Sequence, residues 1–249
     1  MELFFFVKWD FMKILIALPV YNEEKQLSKN VNKLCSFLEK SLPYSFQIVI
    51  ADNNSTDGTS KIGKDLEKSY KNIKYLYLPK KGKGLAIKQA WQNKDFDIYS
   101  FMDIDLSTDL SAFPILINKI VKEDYDVAIG SRLSKESKVK RGFKRTFVSK
   151  SYNLLLKLFF NVSFPDAQCG FKAIKRSVFE QLSPEIKNDG FFFDTELLLL
   201  AEKKYNFKIC SVPVNWADDT TSTVHIGKTI KEDLSGLWRM YWYLRKNKR

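Results

Sequence analysis

Short apolar runs alternate along the chain with segments whose apolar residues recur at spacings of three and four. The first run, residues 13–18, is apolar throughout after its lysine, which is typical of a strand covered on both faces. The next segment carries its apolar residues on one helical face, at Leu27, Val31, Leu34 and Leu38. The same alternation predicts strands at residues 47–51, 73–78 and 125–129 and in the run that ends at Met102, and helices around residues 62–70, before Trp91 and around residues 113–120.

Polar or glycine-containing segments directly follow most of these predicted strands, among them Asp103-Ile104-Asp105 and Gly130-Ser131-Arg132. Regular alternation of strands and helices predicts a doubly wound α/β domain with a mostly parallel central sheet. In such sheets, ligands bind beyond the carboxyl ends of the strands. We therefore expect the functional side chains in these segments.

The pattern changes after Arg132, where residues 134–150 are strongly basic. An amphipathic segment follows, and a predicted strand at residues 209–214 closes the core. The C-terminal segment ends in a basic cluster, and its helical spacing predicts one apolar face that contains Ile230, Leu234, Leu237, Trp238, Tyr241 and Trp242.

This organisation predicts one α/β domain at residues 12–226 and a basic amphipathic C-terminal helix at residues 227–249. Met12 directly precedes the first predicted strand. We therefore expect residues 1–11 to be an N-terminal extension.

Charge indicates the class of partner. The chain has 249 residues, is 45% hydrophobic and carries a formal net charge of +12, so we expect a sizeable core and anionic partners such as nucleotides, anionic lipid or nucleic acid. The three widely spaced cysteines fit neither a zinc site nor a disulfide framework. No apolar run reaches the roughly 20 residues that a membrane span needs.

Two carboxylates, Asp103 and Asp105, follow the predicted strand that ends at Met102. On an extended strand, residues i and i+2 lie on the same side, so both carboxylates are expected to reach one point. Like charges held so close require a cation, and Mg²⁺ or Mn²⁺ takes oxygen ligands and shares its coordination shell with phosphates. Ser107 is a candidate outer contact. Since this short motif is common, a solvated turn is the alternative.

Seven segments occur in an order that is found in one enzyme family. They are Leu18-Pro19-Val20-Tyr21-Asn22-Glu23, Ala51-Asp52-Asn53-Asn54-Ser55-Thr56-Asp57-Gly58-Thr59, Lys81-Gly82-Lys83-Gly84, Asp103-Ile104-Asp105-Leu106-Ser107, Gly130-Ser131-Arg132, Asp166-Ala167-Gln168-Cys169-Gly170-Phe171-Lys172 and Phe193-Asp194-Thr195-Glu196. With them the chain, from about Lys13 to Lys228, resembles the family 2 glycosyltransferases of the GT-A fold, and among these the polyprenyl-phosphate glycosyltransferases. One departure is that Asn53-Asn54 stands where the family usually has Asp-Gly.

The resemblance implies a GT-A fold and an inverting, metal-dependent hexose transfer. The donor would be a UDP- or GDP-linked sugar, and the acceptor would be undecaprenyl or dolichyl phosphate. The implied metal ion is Mg²⁺ or Mn²⁺, held by Asp103 and Asp105. The implied nucleotide-sugar-binding residues are Pro19, Tyr21, Glu23, Asp52, Lys83, Asp103 and His225.

Cations and further acids complete the implied site. Arg132, Arg141 and Arg145 would bind the acceptor phosphate, and Arg132 would also take part in catalysis. Asp166 and Asp194 are implied catalytic residues. Together with Glu196, they are candidates to position sugar hydroxyls, or to act as a base if the acceptor is an alcohol. The alternative for Asp194 and Glu196 is capping of the following helix.

A peripheral enzyme on the cytoplasmic face of the membrane is the expected arrangement. The basic 140–160 region and the aromatic tail would provide two attachment points, and a separate membrane flippase is an expected partner. Two alternatives stay open: a family 2 glycosyltransferase that acts on a saccharide hydroxyl, and a basic nucleic-acid-binding module. The paired carboxylates argue against nucleic acid as a partner, and salt-sensitive binding without metal or nucleotide would identify it.

Overall fold

The computed structural model describes residues 12–140, 142–217 and 226–247. The strands are β1 (Lys13–Val20), β2 (Ser45–Asp52), β3 (Ile73–Tyr77), β4 (Ile98–Met102), β5 (Val127–Ser131), β6 (Val139–Lys140), β7 (Phe171–Lys175), β8 (Ile209–Pro213) and β9 (Trp216–Ala217). The helices are α1 (Leu27–Ser41), α2 (Thr59–Ser69), α3 (Lys83–Ala90), α4 (Ala112–Val121), α5 (Phe143–Phe160), α6 (Arg176–Leu182), α7 (Phe193–Leu199) and α8 (Ile226–Lys246), with a π-helical turn, Leu200–Lys204, directly after α7.

The central sheet has seven strands in the order β3-β2-β1-β4-β7-β5-β8. All neighbouring pairs are parallel except those of β7, which runs antiparallel to both β4 and β5. The predicted doubly wound, mostly parallel sheet is thus confirmed. A second, two-stranded sheet pairs β6 with β9 and brings Trp216 beside the carboxyl edge of the main sheet.

Both faces of the main sheet are covered, which explains the uninterrupted apolar run of β1. Leu15 and Ala17 belong to the core on one face, and Ile14, Ile16 and Leu18 belong to the core on the other. All five side chains are fully buried. The strand therefore has no solvent-facing side on which polar residues would be favoured.

The chain around Asp194 differs from the prediction. Helix α7 begins at Phe193, so Asp194 and Glu196 lie inside its first turn, and no side chain caps this helix start. The alternative that these two acids cap the helix is therefore wrong. Both are buried because cationic partners on other elements, Lys172 and Arg239, hold them.

The residues predicted to share one apolar face of the C-terminal helix separate into two groups. Leu237 packs into the core and Tyr241 is partly buried against it, whereas Ile230, Leu234, Trp238 and Trp242 are exposed. The buried side continues with Asp233 and Met240. Within the described part of the chain, no helix combines the length and hydropathy needed to cross a bilayer.

Candidate active site

Asp103 and Asp105 lie in a turn and not on a strand, because β4 ends at Met102. The Leu106 amide donates to the Asp103 carbonyl at 3.3 Å, and Leu106 adopts a φ of 49°. The extended-strand reason for their common direction is therefore wrong. Both residues nevertheless line one small cavity, which they share with Thr108, Gly170 and Trp216 among others.

This cavity suits a hard divalent cation. Its two carboxylates supply oxygen ligands, and the buried hydroxyl of Ser107 has no hydrogen-bond partner among the described residues. Gly170 faces Asp103 so closely that an added Cβ would lie 1.7 Å from Oδ2. No cluster of three acidic, histidine or cysteine ligands occurs in residues 12–140, 142–217 and 226–247. Two carboxylates fit Mg²⁺ or Mn²⁺ that keeps waters and takes phosphate oxygens as its remaining ligands.

A row of alternating charges begins at this turn. Lys83, at the start of α3, lies with Nζ 2.9 Å from Asp103 Oδ1 and 3.7 Å from Asp194 Oδ2. Burial lowers the pKa of Lys83, but the charges of Asp103 and Asp194 outweigh it and raise the pKa above its usual value. Lys83 is therefore a permanent cation beside the candidate metal site.

Lys172 is the far end of this row, and its role is not indicated by the motif in which it stands. Its Nζ donates to Asp194 Oδ1 at 2.5 Å and to the Cys169 carbonyl at 2.6 Å, and its side chain is 1% exposed. The available signal is a lysine flanked by Phe171 and Ala173 within a short strand, since a lysine that is buried requires a partner.

Arg132 and Asp166 bind each other in a two-pronged ion pair. Nε and Nη2 of Arg132 donate at 2.8 and 2.9 Å, and its backbone amide donates to the same carboxylate at 3.0 Å. Burial raises the pKa of Asp166, but the charge and hydrogen bonds of Arg132 outweigh it and hold the pKa below its usual value. Asp166 is therefore a weak base, and its carboxylate fixes Arg132 at the carboxyl end of β5.

The predicted nucleotide pocket lies at the ends of β1 and β2. Pro19 is in β1 opposite Ala51, and Glu23 accepts a hydrogen bond from Gln26 at 2.5 Å. Lys81 Nζ lies 3.9 Å from the centre of the Tyr21 ring and donates to its hydroxyl. An aromatic ring and a cation are thus in contact in the loops that follow β1 and β3.

Asp52 is fully buried and connects neighbouring segments of this pocket by accepting hydrogen bonds. Its Oδ1 accepts from the Ser55 amide at 2.9 Å and its Oδ2 from the Tyr75 hydroxyl at 2.6 Å. The neighbouring Asn53, at one position that departs from the family pattern, accepts from the Gly82 amide at 3.2 Å. The asparagine therefore ties the pocket to the loop that leads into Lys83.

Three predicted residues cannot be placed. Arg141 and His225 lie outside the described residues, and Arg145 is described only as part of the backbone of α5.

Glu196 accepts hydrogen bonds on both carboxylate oxygens, from the Asn188 amide at 2.8 Å and from Arg239 at 2.6 Å. It therefore ties α8 to the loop that precedes α7.

Comparison with known sequences identifies relatives over most of the chain. The family model described as glycosyl transferase family 2 matches residues 15–183. The chain is 30% identical over 235 residues to glycosyltransferase AglD of Haloferax volcanii, covering 94% of this chain and 38% of that protein. It is 28% identical to dolichyl-phosphate beta-glucosyltransferase of Dictyostelium discoideum, with 93% and 78% covered. The corresponding enzyme of Saccharomyces cerevisiae is 30% identical, with 81% and 66% covered.

Comparison with solved structures identifies the fold. Glucosyl-3-phosphoglycerate synthase from Mycobacterium tuberculosis, solved with Mn²⁺, UDP-glucose and phosphoglyceric acid, superposes with a TM-score of 0.72. The match covers 92% of this chain and 80% of that chain at 16% identity. The predicted GT-A-like fold is thereby confirmed.

Proposed function

Because the chain belongs to glycosyl transferase family 2, we propose that it transfers a hexose from a nucleotide sugar to a polyprenyl phosphate, with inversion at the anomeric carbon. The named activity of the dolichyl-phosphate beta-glucosyltransferases that match most of this chain supports the substrate class. A UDP-linked hexose is the favoured donor, since the superposed synthase was solved with UDP-glucose.

The choice of acceptor rests on one observation, namely that the two candidate acids of the site are already held in ion pairs. Asp166 is paired with Arg132 and Asp194 is paired with Lys172, so neither carboxylate is available as a strong general base. A phosphate acceptor is already ionised at neutral pH and needs none. Alignment of its oxygen and stabilisation of the departing diphosphate are then the main requirements. A saccharide hydroxyl would need a general base, which neither of these two paired acids supplies.

The roles follow from position. Asp103 and Asp105 would hold Mg²⁺ or Mn²⁺, which supplies charge neutralisation for the leaving diphosphate when bound. Lys83 contributes a fixed positive charge on the same side. Tyr21 and Lys81 would bind the nucleotide, and Arg132 would attract the acceptor phosphate by its remaining N–H groups. Roles for Arg141, Arg145 and His225 in phosphate binding stay predictions.

An exposed apolar surface supports action at a membrane. Helices α5 and α8 lie side by side, with the Phe159 and Tyr241 rings 6.1 Å apart. Basic side chains, among them Lys157 and Arg245, are exposed on the same two helices, which suits an anionic lipid surface. We call the exposed sides of these two helices the α5–α8 face. The exposed apolar residues of the two helices are Phe147, Val148, Leu154, Leu158, Phe159, Ile230, Leu234, Trp238 and Trp242. The cytoplasmic side and a partner flippase stay predictions.

The first test is transfer of label from UDP- and GDP-hexoses into undecaprenyl and dolichyl phosphate, with MgCl₂ or MnCl₂. We expect an organic-extractable product that mild acid cleaves, and no product after chelation of the metal. Labelled water-soluble saccharide, with unlabelled lipid, would instead establish a hydroxyl acceptor. Metal-independent, salt-sensitive binding of nucleic acid without turnover would contradict both.

A further inference from the structure

Helix α8 presents polar side chains to the loops of the candidate active site. Gln168 Nε2 donates to Asp233 Oδ2 at 2.8 Å, and Arg239 donates to Glu196 at 2.6 Å. Asp233 is only 5% exposed. The side of α8 opposite its exposed tryptophans is thus in direct contact with the segment that contains Asp166 and Gly170.

The Asp233 carboxylate is unfavourable where it stands. Its Oδ1 is buried and has no hydrogen-bond partner among the described residues. Among the described residues, the charged groups that act on it are acids, Glu232 on its own helix and Asp194 on α7, while burial raises the pKa of Tyr152 on α5 well above its usual value and keeps it neutral. Burial raises the pKa of Asp233 to about 6. A leucine of similar size would avoid this unfavourable burial, so the carboxylate has a use other than stability.

That use is indicated by Gln168. This residue lies between Asp166, which holds Arg132, and Gly170, which packs on Asp103. The bond to Asp233 is the one hydrogen bond that the Gln168 side chain makes among the described residues. Because a carboxylate accepts only from the amide nitrogen, Asp233 fixes which way the amide is turned. The amide oxygen and one N–H then remain for a ligand.

We propose that Asp233 is a positioning residue for Gln168, and that Gln168 contacts a hydroxyl of the hexose in the donor. An amide that offers both an acceptor and a donor matches a sugar hydroxyl, which is both as well. The inference rests on the proposed function, since the nucleotide sugar supplies that hydroxyl. The proposal means that α8 contributes to recognition of the sugar, although α8 is far along the chain from the other site segments.

The test compares each nucleotide sugar with its own diphosphate, so that the contribution of the sugar is isolated. Binding of UDP-glucose and UDP, and of GDP-mannose and GDP, is measured by calorimetry with MnCl₂. We expect Gln168→Leu and Asp233→Leu each to weaken binding of the nucleotide sugar about tenfold. Binding of the diphosphate should be unchanged. The double variant should be no weaker than either single variant, because both remove the same contact.

Stability and a conservative variant separate positioning from a structural role. Asp233→Leu should unfold at the same or a higher temperature than wild type at pH 7.5, since it removes a buried unpaired carboxylate oxygen. Asp233→Asn keeps an acceptor oxygen for Gln168 and should recover most of the sugar affinity. Asp65→Leu, on the exposed surface of α2, is the matched control and should change the affinity for neither ligand.

Three results would overturn the proposal. The first is that the variants weaken binding of the nucleotide sugar and of the diphosphate equally. The others are a loss of affinity in the double variant that equals the product of the two single losses, or an unchanged affinity for the nucleotide sugar in both single variants. If wild type binds a donor but labels no lipid, the proposed acceptor fails and the binding comparison still decides the role of Asp233. If wild type binds no member of either pair, the proposed donor fails, and this inference fails with it.

Discussion

Asp103, Lys83, Asp194 and Lys172 form a row in which acidic and basic groups alternate. Asp194 and Lys172 are almost fully buried. Each charge is stabilised by its neighbour, so the loss of one group leaves another uncompensated in a region of low polarity. Residues in this row are therefore poor choices for a clean test of the metal site.

Asp105 provides a test of the metal site, because it lines the same cavity as Asp103 and is not one of these four residues. We expect Asp105→Ala to lower hexose transfer by about 100-fold or more, through loss of a metal ligand at the leaving diphosphate. Transfer is measured as label in the lipid extract, with circular dichroism to confirm the fold. Asp65→Ala should retain full activity, and unchanged turnover of Asp105→Ala would remove the metal role from this turn.

The buried pair of Arg132 and Asp166 predicts a pH-dependent stability. Because the pKa of Asp166 in the folded chain lies below its usual value, its contribution is complete at neutral pH and is lost as pH falls through that lowered pKa. We expect Arg132→Met to lower the free energy of unfolding by about 3–5 kcal/mol at pH 7. Urea titrations at pH 7 and pH 4 measure it.

The loss in Arg132→Met should be smaller at pH 4, where the unpaired Asp166 can accept a proton. The variant Arg132→Met/Asp166→Leu should recover part of the stability at pH 7, since no buried charge is left alone. A loss that is equal at both pH values would show that packing, and not charge, accounts for the effect.

At the scale of single residues, the sequence identifies acidic residues of the candidate site, but it does not identify the residues that they contact. The segment Asp103–Asp105 is correctly placed at the end of a strand, although the direction of its side chains comes from a turn with Leu106 at positive φ. The partners of Asp166 and Asp194 lie far away in sequence. Such pairings depend on the register of β5 and β7, which no local pattern encodes.

Among the elements, the turn after β4 and the loop before β7 meet at Gly170. We expect Gly170→Ala to displace the Asp103 carboxylate, because the added Cβ would lie 1.7 Å from Oδ2. Transfer should fall by about tenfold or more, with weaker dependence on added MnCl₂, since a displaced ligand misaligns the bound diphosphate.

Gly142→Ala is the matched control, because no atom of the described residues lies within 4 Å of its added Cβ. Activity and metal dependence should equal those of wild type. If Gly170→Ala also equals wild type, then Asp103 tolerates displacement and the close packing has no role in metal binding.

The elements themselves follow from the sequence to a large extent. The buried strands β1, β2 and β4 are apolar runs, and the helices between them carry one apolar face. The antiparallel direction of β7 is not indicated, because a short buried strand has the same composition in either direction. The start of α7 at Phe193 is missed as well, since its first turn contains two acids that look like a solvent-exposed cap.

For the whole molecule, the α5–α8 face predicts binding to anionic bilayers. We expect Leu158→Ser/Trp238→Ser to weaken association with phosphatidylglycerol-containing vesicles by at least about tenfold, since two large exposed apolar side chains are lost. Co-sedimentation measures it. The control Ile115→Ser removes an apolar residue of α4 that is also exposed, at 51%. Equal binding by both variants would place the membrane contact elsewhere.

The position of β7 also has a consequence for how the chain is made. Strand β5 pairs with β7 and β8 alone, and both are later in the chain. On the ribosome, β5 is therefore complete while its neighbour in the sheet is still untranslated, for a time on the order of seconds at usual synthesis rates. Throughout that interval β4 has an open edge that can pair with other nascent chains. Late synthesis of the strand that follows Gly170 therefore leaves this edge of β4 exposed to misassociation until residues 171–175 have been made.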